Sequence, residues 1–399
     1  MRRRRWVAAG GARAAAGLAA LGVGLASLAG CSSGHSKPAA ATSAATRISV
    51  GVSQCGAGWS DPAAGQQDFL LANNDTRDAD VQLIDPATGA VYAEVEPLGT
   101  GATAHLRITL GGGRYAFRCM MEDDAAFTGP TVTITSSLRT PVEPVRPVTQ
   151  NDMLPPTRAY EKYVIGALPG LVAATTTLRD DVTRGDLAAA RRDWLPAHED
   201  YERLGAAYGA FGDADGDING LSAGLPGGVD DPGFAGFHRL EYGLWHGQDA
   251  ATLTPVAAAL LDAENGLVKD FPSEQIDPVD VGIRAHEITE NALRFSLTDE
   301  SDFGSHSQLA TIAANLGGTR VVLNLLRPLL VPRYKALPRL DAQLATTTKD
   351  VAAQRHPDGT YTALDALSRT ARAHIDDDVS ELAELLAPVA SICEPRRIS

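Results

Sequence analysis

The chain has 399 residues, enough for two or three domains, and 44% of them are hydrophobic, enough to build real cores. It carries 49 Asp and Glu against 35 Lys and Arg, a formal net charge of −14. That balance argues against a nucleic-acid surface and against electrostatic adhesion to anionic lipid, and it is compatible with gathering cations.

In chain order, "MRRRRW" is a positively charged start, followed by the short apolar run "AAAGLAALGVGLASLAG". The run is too short for a spanning helix and suits a signal peptide over residues 1–30. It ends in "LAGC", which resembles the bacterial lipoprotein signal, so Cys31 is the expected lipidated residue and 31–45 a flexible tether. Cleavage there removes five arginines and takes the charge from −14 to −19. The expected location is outside the cytoplasmic membrane, with membrane contact through the N-terminal lipid.

Residues 46–137 alternate apolar and polar positions in seven short runs, from "RISVGV" to "PTVTITS", punctuated by Asn-Asp and Gly-rich turns. This pattern predicts a small β-sandwich. A Pro-rich linker over 138–156 follows. Beyond Cys31 the cysteines are Cys55, Cys119 and Cys393, an odd number. Cys55 follows the first strand and Cys119 ends "GRYAFRC". Two readings stand: a structural disulfide, favoured in an oxidising compartment, or a thiolate metal site helped by Glu94 or Glu96. A blue-copper centre wants two histidines, and this region offers only His105, beside Met120 and Met121 as soft donors.

From 157 to 399 the apolar spacing becomes helical, predicting an all-α bundle. Three segments carry polar residues that packing alone would not choose: "HEDYER" with His198 and Glu202, "FHRLE" with His238 and Glu241, and "HEITE" with Glu287 and Glu290. Spacings of three and four put each pair on one helix face. In "FHRLE" the pair sits among Phe237, Leu240, Leu244 and Trp245, where a charged pair needs a partner or a metal. Carboxylates with one or two imidazoles suit iron, manganese or zinc. "GDADGDINGLSAG" has alternate aspartates, yet Ile218 and Gly224 stand where an EF-hand needs its glycine and closing glutamate. It reads as a flexible acidic loop over the bundle.

"GFHRLEYGLW", "YERLGAAYGAFGD" and the long run from "RAHEITENALRFSL" to "TRVVLNLL" resemble the imelysin family, in particular its EfeO-type branch. That branch joins an N-terminal cupredoxin-like domain to an imelysin-like helical domain, the order inferred here. The resemblance implies an exported iron-binding component whose partners are a membrane permease and a secreted haem peroxidase. It implies metal ligands at Glu202, His238 and Glu241, completed by Glu287 or Glu290, with iron as the cargo and zinc or copper as alternatives. Relatives carry carboxylates where this chain has Gly205 and Asn219, which lowers the charge of the site. A zincin-type peptidase wants His-Glu-x-x-His, whereas position 242 is Tyr242, so proteolysis is not expected. His306 in "GSHSQL" is a candidate for supporting the ligands from behind or for an entry path.

Overall fold

Alternating sequence becomes eight strands in the computed structural model, which describes residues 45–398. The expected signal peptide, Cys31 and residues 31–44 of the tether lie outside the described residues. The strands are β1 (Thr46–Val50), β2 (Gly65–Asn73), β3 (Ala79–Ile84), β4 (Val91–Leu98), β5 (Thr103–Leu110), β6 (Gly113–Met121), β7 (Phe127–Thr128) and β8 (Val132–Ile134). One sheet runs β1-β2-β5 with β1 parallel to β2; the other runs β4-β3-β6-β7, and β8 also pairs with β6. Ile48, Phe69, Leu71 and Ile108 of the first sheet meet Val81, Leu83 and Phe117 of the second in one core, so the sheets form a sandwich.

Cys55 and Cys119 lie in that core and are joined by a disulfide. Cys119 pairs in register with inward-facing Val81, whereas Glu94 pairs with Gln82, one position on. Side chains alternate across a strand, so Glu94 and Glu96 sit on the face opposite the sulfurs. The thiolate–carboxylate site is therefore not assembled, because its sulfurs are bonded to each other and its carboxylates face away.

All six residues of β3 are buried, since both faces of its sheet are covered. On the outer face Arg396 bonds Glu94 at 2.9 Å, and Arg397 reaches Asp80 and the Met121 carbonyl. The C-terminal tail thus clasps the sandwich to the helical region.

The helices are α1 (Gln150–Thr183), α2 (Leu187–Glu202), α3 (Tyr208–Phe211), α4 (Asp213–Asn219), α5 (Gly236–Trp245), α6 (Ala250–Asp270), α7 (Pro278–Asn291), α8 (Gln308–Leu330), α9 (Leu337–Ala352) and α10 (Arg369–Cys393). α1 starts seven residues before the expected 157. Thr149 accepts from the Asp152 amide while Asp152 accepts from the Thr149 amide, a reciprocal cap that starts the helix inside the Pro-rich stretch. α1 packs on α2 and α6, α10 on α7 and α9, and α2 on α5 and α8, around a single core. α8 is long and apolar enough to cross a membrane by length and composition, yet most of that stretch is buried in the bundle. The acidic stretch read as a flexible loop is instead helix α4, and Gly236 at φ +74° lets α5 begin against the Ile218 carbonyl, where a side chain would collide.

Candidate metal centre

Two helices bring the principal side chains together. Near the end of α2, His198 and Glu202 lie four apart on the face that also buries Trp194 and Tyr201. On α5, His238 and Glu241 share a helix that is buried almost all round, with Phe237, Leu240 and Leu244 completing its apolar surface. Glu202 is 7% exposed, His238 4% and Glu241 1%, so each charge needs a partner.

The partners come from elsewhere in the chain. His198 Nε2 lies 3.2 Å from Glu202 Oε1 and 3.0 Å from Asn219 Oδ1. Asn219 in turn donates to Glu202 Oε1 at 2.8 Å. Glu241 Oε1 accepts from the amides of Phe303 and Ser305 at 3.0 and 3.1 Å and from the Ser305 hydroxyl at 2.6 Å. Its other oxygen faces His238 Nδ1 at 3.4 Å. Tyr201 donates to Asp215 at 2.6 Å. The His198 and His238 rings lie edge to face, 5.2 Å apart, and the Phe303 ring is tilted against His238 at 5.4 Å.

Electrostatics follow from these contacts. Burial disfavours charge on His198, but the Glu202 hydrogen bond and charge outweigh it and raise its pKa above the ordinary value. Burial pushes Glu202 upward, and His198 overcomes this and holds it below the usual carboxylate range. For Glu241, burial is likewise outweighed, by His238, Ser305 and the Phe303 amide. Burial raises Asp215, against the Tyr201 hydrogen bond.

Glu202, Asp215, Asn219 and His238 line a cavity of about 340 Å³, whose wall also includes Asn315 and Ser296 of a π-helical turn that continues α7. Among the described residues nothing bonds His238 Nε2. An ionised Glu241 can only accept, so the tautomer that donates Nδ1–H to it leaves the Nε2 lone pair for an ion, the arrangement by which a carboxylate orients a metal-binding histidine. The cavity therefore offers one imidazole nitrogen and carboxylate and amide oxygens, a donor set for a borderline or hard cation. Among the described residues no three His, Cys, Asp or Glu side chains are grouped closely enough to close on one ion. The carboxylates and rings instead satisfy one another.

Of the residues expected from sequence, Glu202 and His238 line the cavity, and Glu241 stands one layer behind it, holding His238. Glu287 and Glu290 are not brought in: Glu287 pairs with Arg284 at 2.9 Å and Glu290 lies 3.6 Å from His286, both on the outer side of α7. The inward stripe of that helix is Val281, Ala285 and Ile288. His306 is exposed and borders a different groove. Asp215 belongs to the acidic stretch expected over the bundle and enters the cavity wall itself, whereas Phe303 and Ser305 were not anticipated. Ser305 and Phe303 act through a loop more than sixty residues from Glu241, and no local spacing encodes that contact.

Comparison with known proteins adds a family and relatives. A family model described as imelysin matches residues 156–389. The iron uptake system component EfeO of Yersinia pestis is 27% identical over 351 residues, covering 87% of this chain and 90% of that protein. EfeO of Escherichia coli (strain K12) is 26% identical over 337 residues, 82% of this chain and 86% of that one. The iron uptake system component EfeM of Pseudomonas syringae pv. syringae (strain B728a) is 28% identical over 251 residues, 63% of this chain and 88% of that one.

Proposed function

This chain belongs to the imelysin family, and we propose that it is an exported iron-holding component of an iron-uptake system, taking the ion in the cavity between Glu202 and His238. The observation that carries this reading is the buried His238–Glu241 pair, in which an anchored carboxylate orients an imidazole whose other nitrogen has no partner among the described residues, at a cavity that Glu202, Asp215 and Asn219 also line. The relatives, named as iron uptake system components, support the role and are not named as enzymes. No catalysis is proposed.

Binding then exchanges one set of contacts for another. Glu202 gives up its bonds to Asn219 and His198 and turns its carboxylate to the ion, His238 supplies Nε2, and Asp215 and the Asn219 amide oxygen lie along the same wall. Glu241 stays with Ser305 and keeps the imidazole aligned. A site of this kind is partly preformed and releases its cargo by re-forming the internal hydrogen bonds, which suits a carrier better than a permanent metal site. From the resemblance, the carrier hands iron to a membrane permease and works beside a secreted haem peroxidase. It would be tethered outside the cell membrane by Cys31, with a cupredoxin-like sandwich at 46–137 and the helical domain beyond the linker.

The test is calorimetric titration of Fe²⁺ and Fe³⁺ into the wild-type protein and into His238→Ala and Glu202→Gln. The reading expects saturable iron binding that each substitution weakens by about a hundredfold. Iron binding unchanged in both variants would overturn it.

A further inference from the structure

A second cavity, of about 530 Å³, opens on the other side of the 302–307 loop. Its walls include Arg191 and Arg192 of α2, Arg355 from the turn after α9, His306, and the rings of Trp245 and Tyr361. None of the three arginines has a carboxylate partner among the described residues, in a chain whose net charge is −14. Arg191 bonds only the Leu244 carbonyl, at 2.9 and 2.6 Å, and Arg192 only the Ala188 carbonyl, at 3.0 Å. Of the two acids at the rim, only Glu199 has a cationic partner among the described residues. Glu199 holds Arg203 at 2.7 Å, and Asp358 accepts from the amide and hydroxyl of Thr360.

Three guanidinium groups line one groove against two acids, of which Glu199 is neutralised by Arg203 and Asp358 keeps its charge, so the groove carries a net positive balance in an acidic chain. Guanidinium forks match planar carboxylates in a bidentate way, and flanking aromatic rings give the carbon skeleton of a ligand an apolar wall. We propose that this groove is a binding site for a small oligocarboxylate, distinct from the iron cavity and separated from it by the loop that holds Glu241. Arg192 and Arg355 grip the carboxylates, Arg191 stiffens the floor through the Leu244 carbonyl, and Trp245 and Tyr361 cover the carbon chain. The site goes beyond the iron reading and does not depend on it, since it needs no metal.

The experiment is calorimetric titration of the metal-free protein with tricarballylate, a tricarboxylate without the hydroxyl that makes citrate a strong iron chelator. Inorganic phosphate and acetate are titrated in parallel. Saturable tricarballylate binding, weakened about tenfold by Arg192→Ala and by Arg355→Ala and abolished in the double variant, is the expected result. These arginines are exposed, so the variants should keep the wild-type circular dichroism. His238→Ala should bind tricarballylate as the wild type does, which separates this site from the iron cavity. No saturable binding at millimolar ligand, or binding unaffected by the double variant, overturns the proposal. Phosphate or acetate binding as tightly as tricarballylate overturns the assignment to an oligocarboxylate.

Discussion

Glu264 offers the sharpest stability test in the bundle. It lies on α6 with no exposed surface; one carboxyl oxygen accepts from Thr175 at 2.8 Å, and the other has no partner among the described residues. Burial is the dominant influence and raises its pKa from 4.5 to about 8, against the Thr175 hydrogen bond. The folded protein thus keeps a proton that the unfolded chain releases, so between these two values the folded state binds more protons and loses stability as pH rises. At about 1.36 kcal/mol per pH unit, the penalty is about 1 kcal/mol near pH 5 and about 4 kcal/mol near pH 7.5. Glu264→Gln keeps the shape and the Thr175 acceptor but cannot ionise. Its stability relative to wild type should therefore grow by about 3 kcal/mol between those pH values. For a domain of this size that is a rise of about 6–12 °C in relative Tm. Urea denaturation followed by helical circular dichroism, at both pH values, reads the difference. Parallel wild-type and variant curves across that range would refute the reasoning, because a carboxylate that ionises at no cost is not the buried acid described here.

Other outcomes follow from single contacts. Ser305→Ala removes the hydroxyl held against Glu241 and should weaken iron binding about tenfold while leaving the helical content unchanged, measured by calorimetry beside circular dichroism. Cys55→Ser with Cys119→Ser opens a loop with a sequence separation of 64 residues and should cost the sandwich about 4 kcal/mol, read by thermal unfolding with and without reductant. In a double-mutant cycle, the half-buried Arg396–Glu94 pair should show about 1 kcal/mol of coupling. Zero coupling would mean that this pair contributes nothing to holding the tail on the sandwich. Gly243→Ala would drive a methyl group into Leu253 and Gln248 where α5 meets α6, and should cost about 1–3 kcal/mol in urea denaturation.

What was legible in the sequence depended on how local the cause is. β5 alternates exposed and buried residues along most of its length and reads as a strand without help. β3 is buried throughout because the C-terminal tail, some three hundred residues away, covers its second face. The seven expected strands all have counterparts, while two-residue β7 is held only by its pairing with β6. α9 carries a clean helical stripe of Leu337, Leu340, Leu344 and Val351, whereas Ala-rich stretches and Pro255 dilute that of α6.

The site divides in the same way. His238 and Glu241 announce themselves, since two polar residues three apart among Phe237, Leu240 and Leu244 have nowhere to go but inward. Glu287 and Glu290 have equal spacing, yet the stripe of Val281, Ala285 and Ile288 in their own helix already turns them outward. Asn219 was reached through the resemblance, whereas the place of Asp215 beside it follows from the i, i+4 spacing only once α4 is a helix and not a loop. The Ser305 contact depends on tertiary folding alone.

The central claim is a position for the ion. Crystals grown with iron and measured at the iron absorption edge locate the metal independently of any activity. The account predicts an anomalous peak in the cavity within bonding distance of His238 Nε2 and a Glu202 oxygen, with Glu241 still held by Ser305. A peak at Glu94 and Glu96 on the sandwich, or at Glu287 and Glu290 on the outer face of α7, would contradict it.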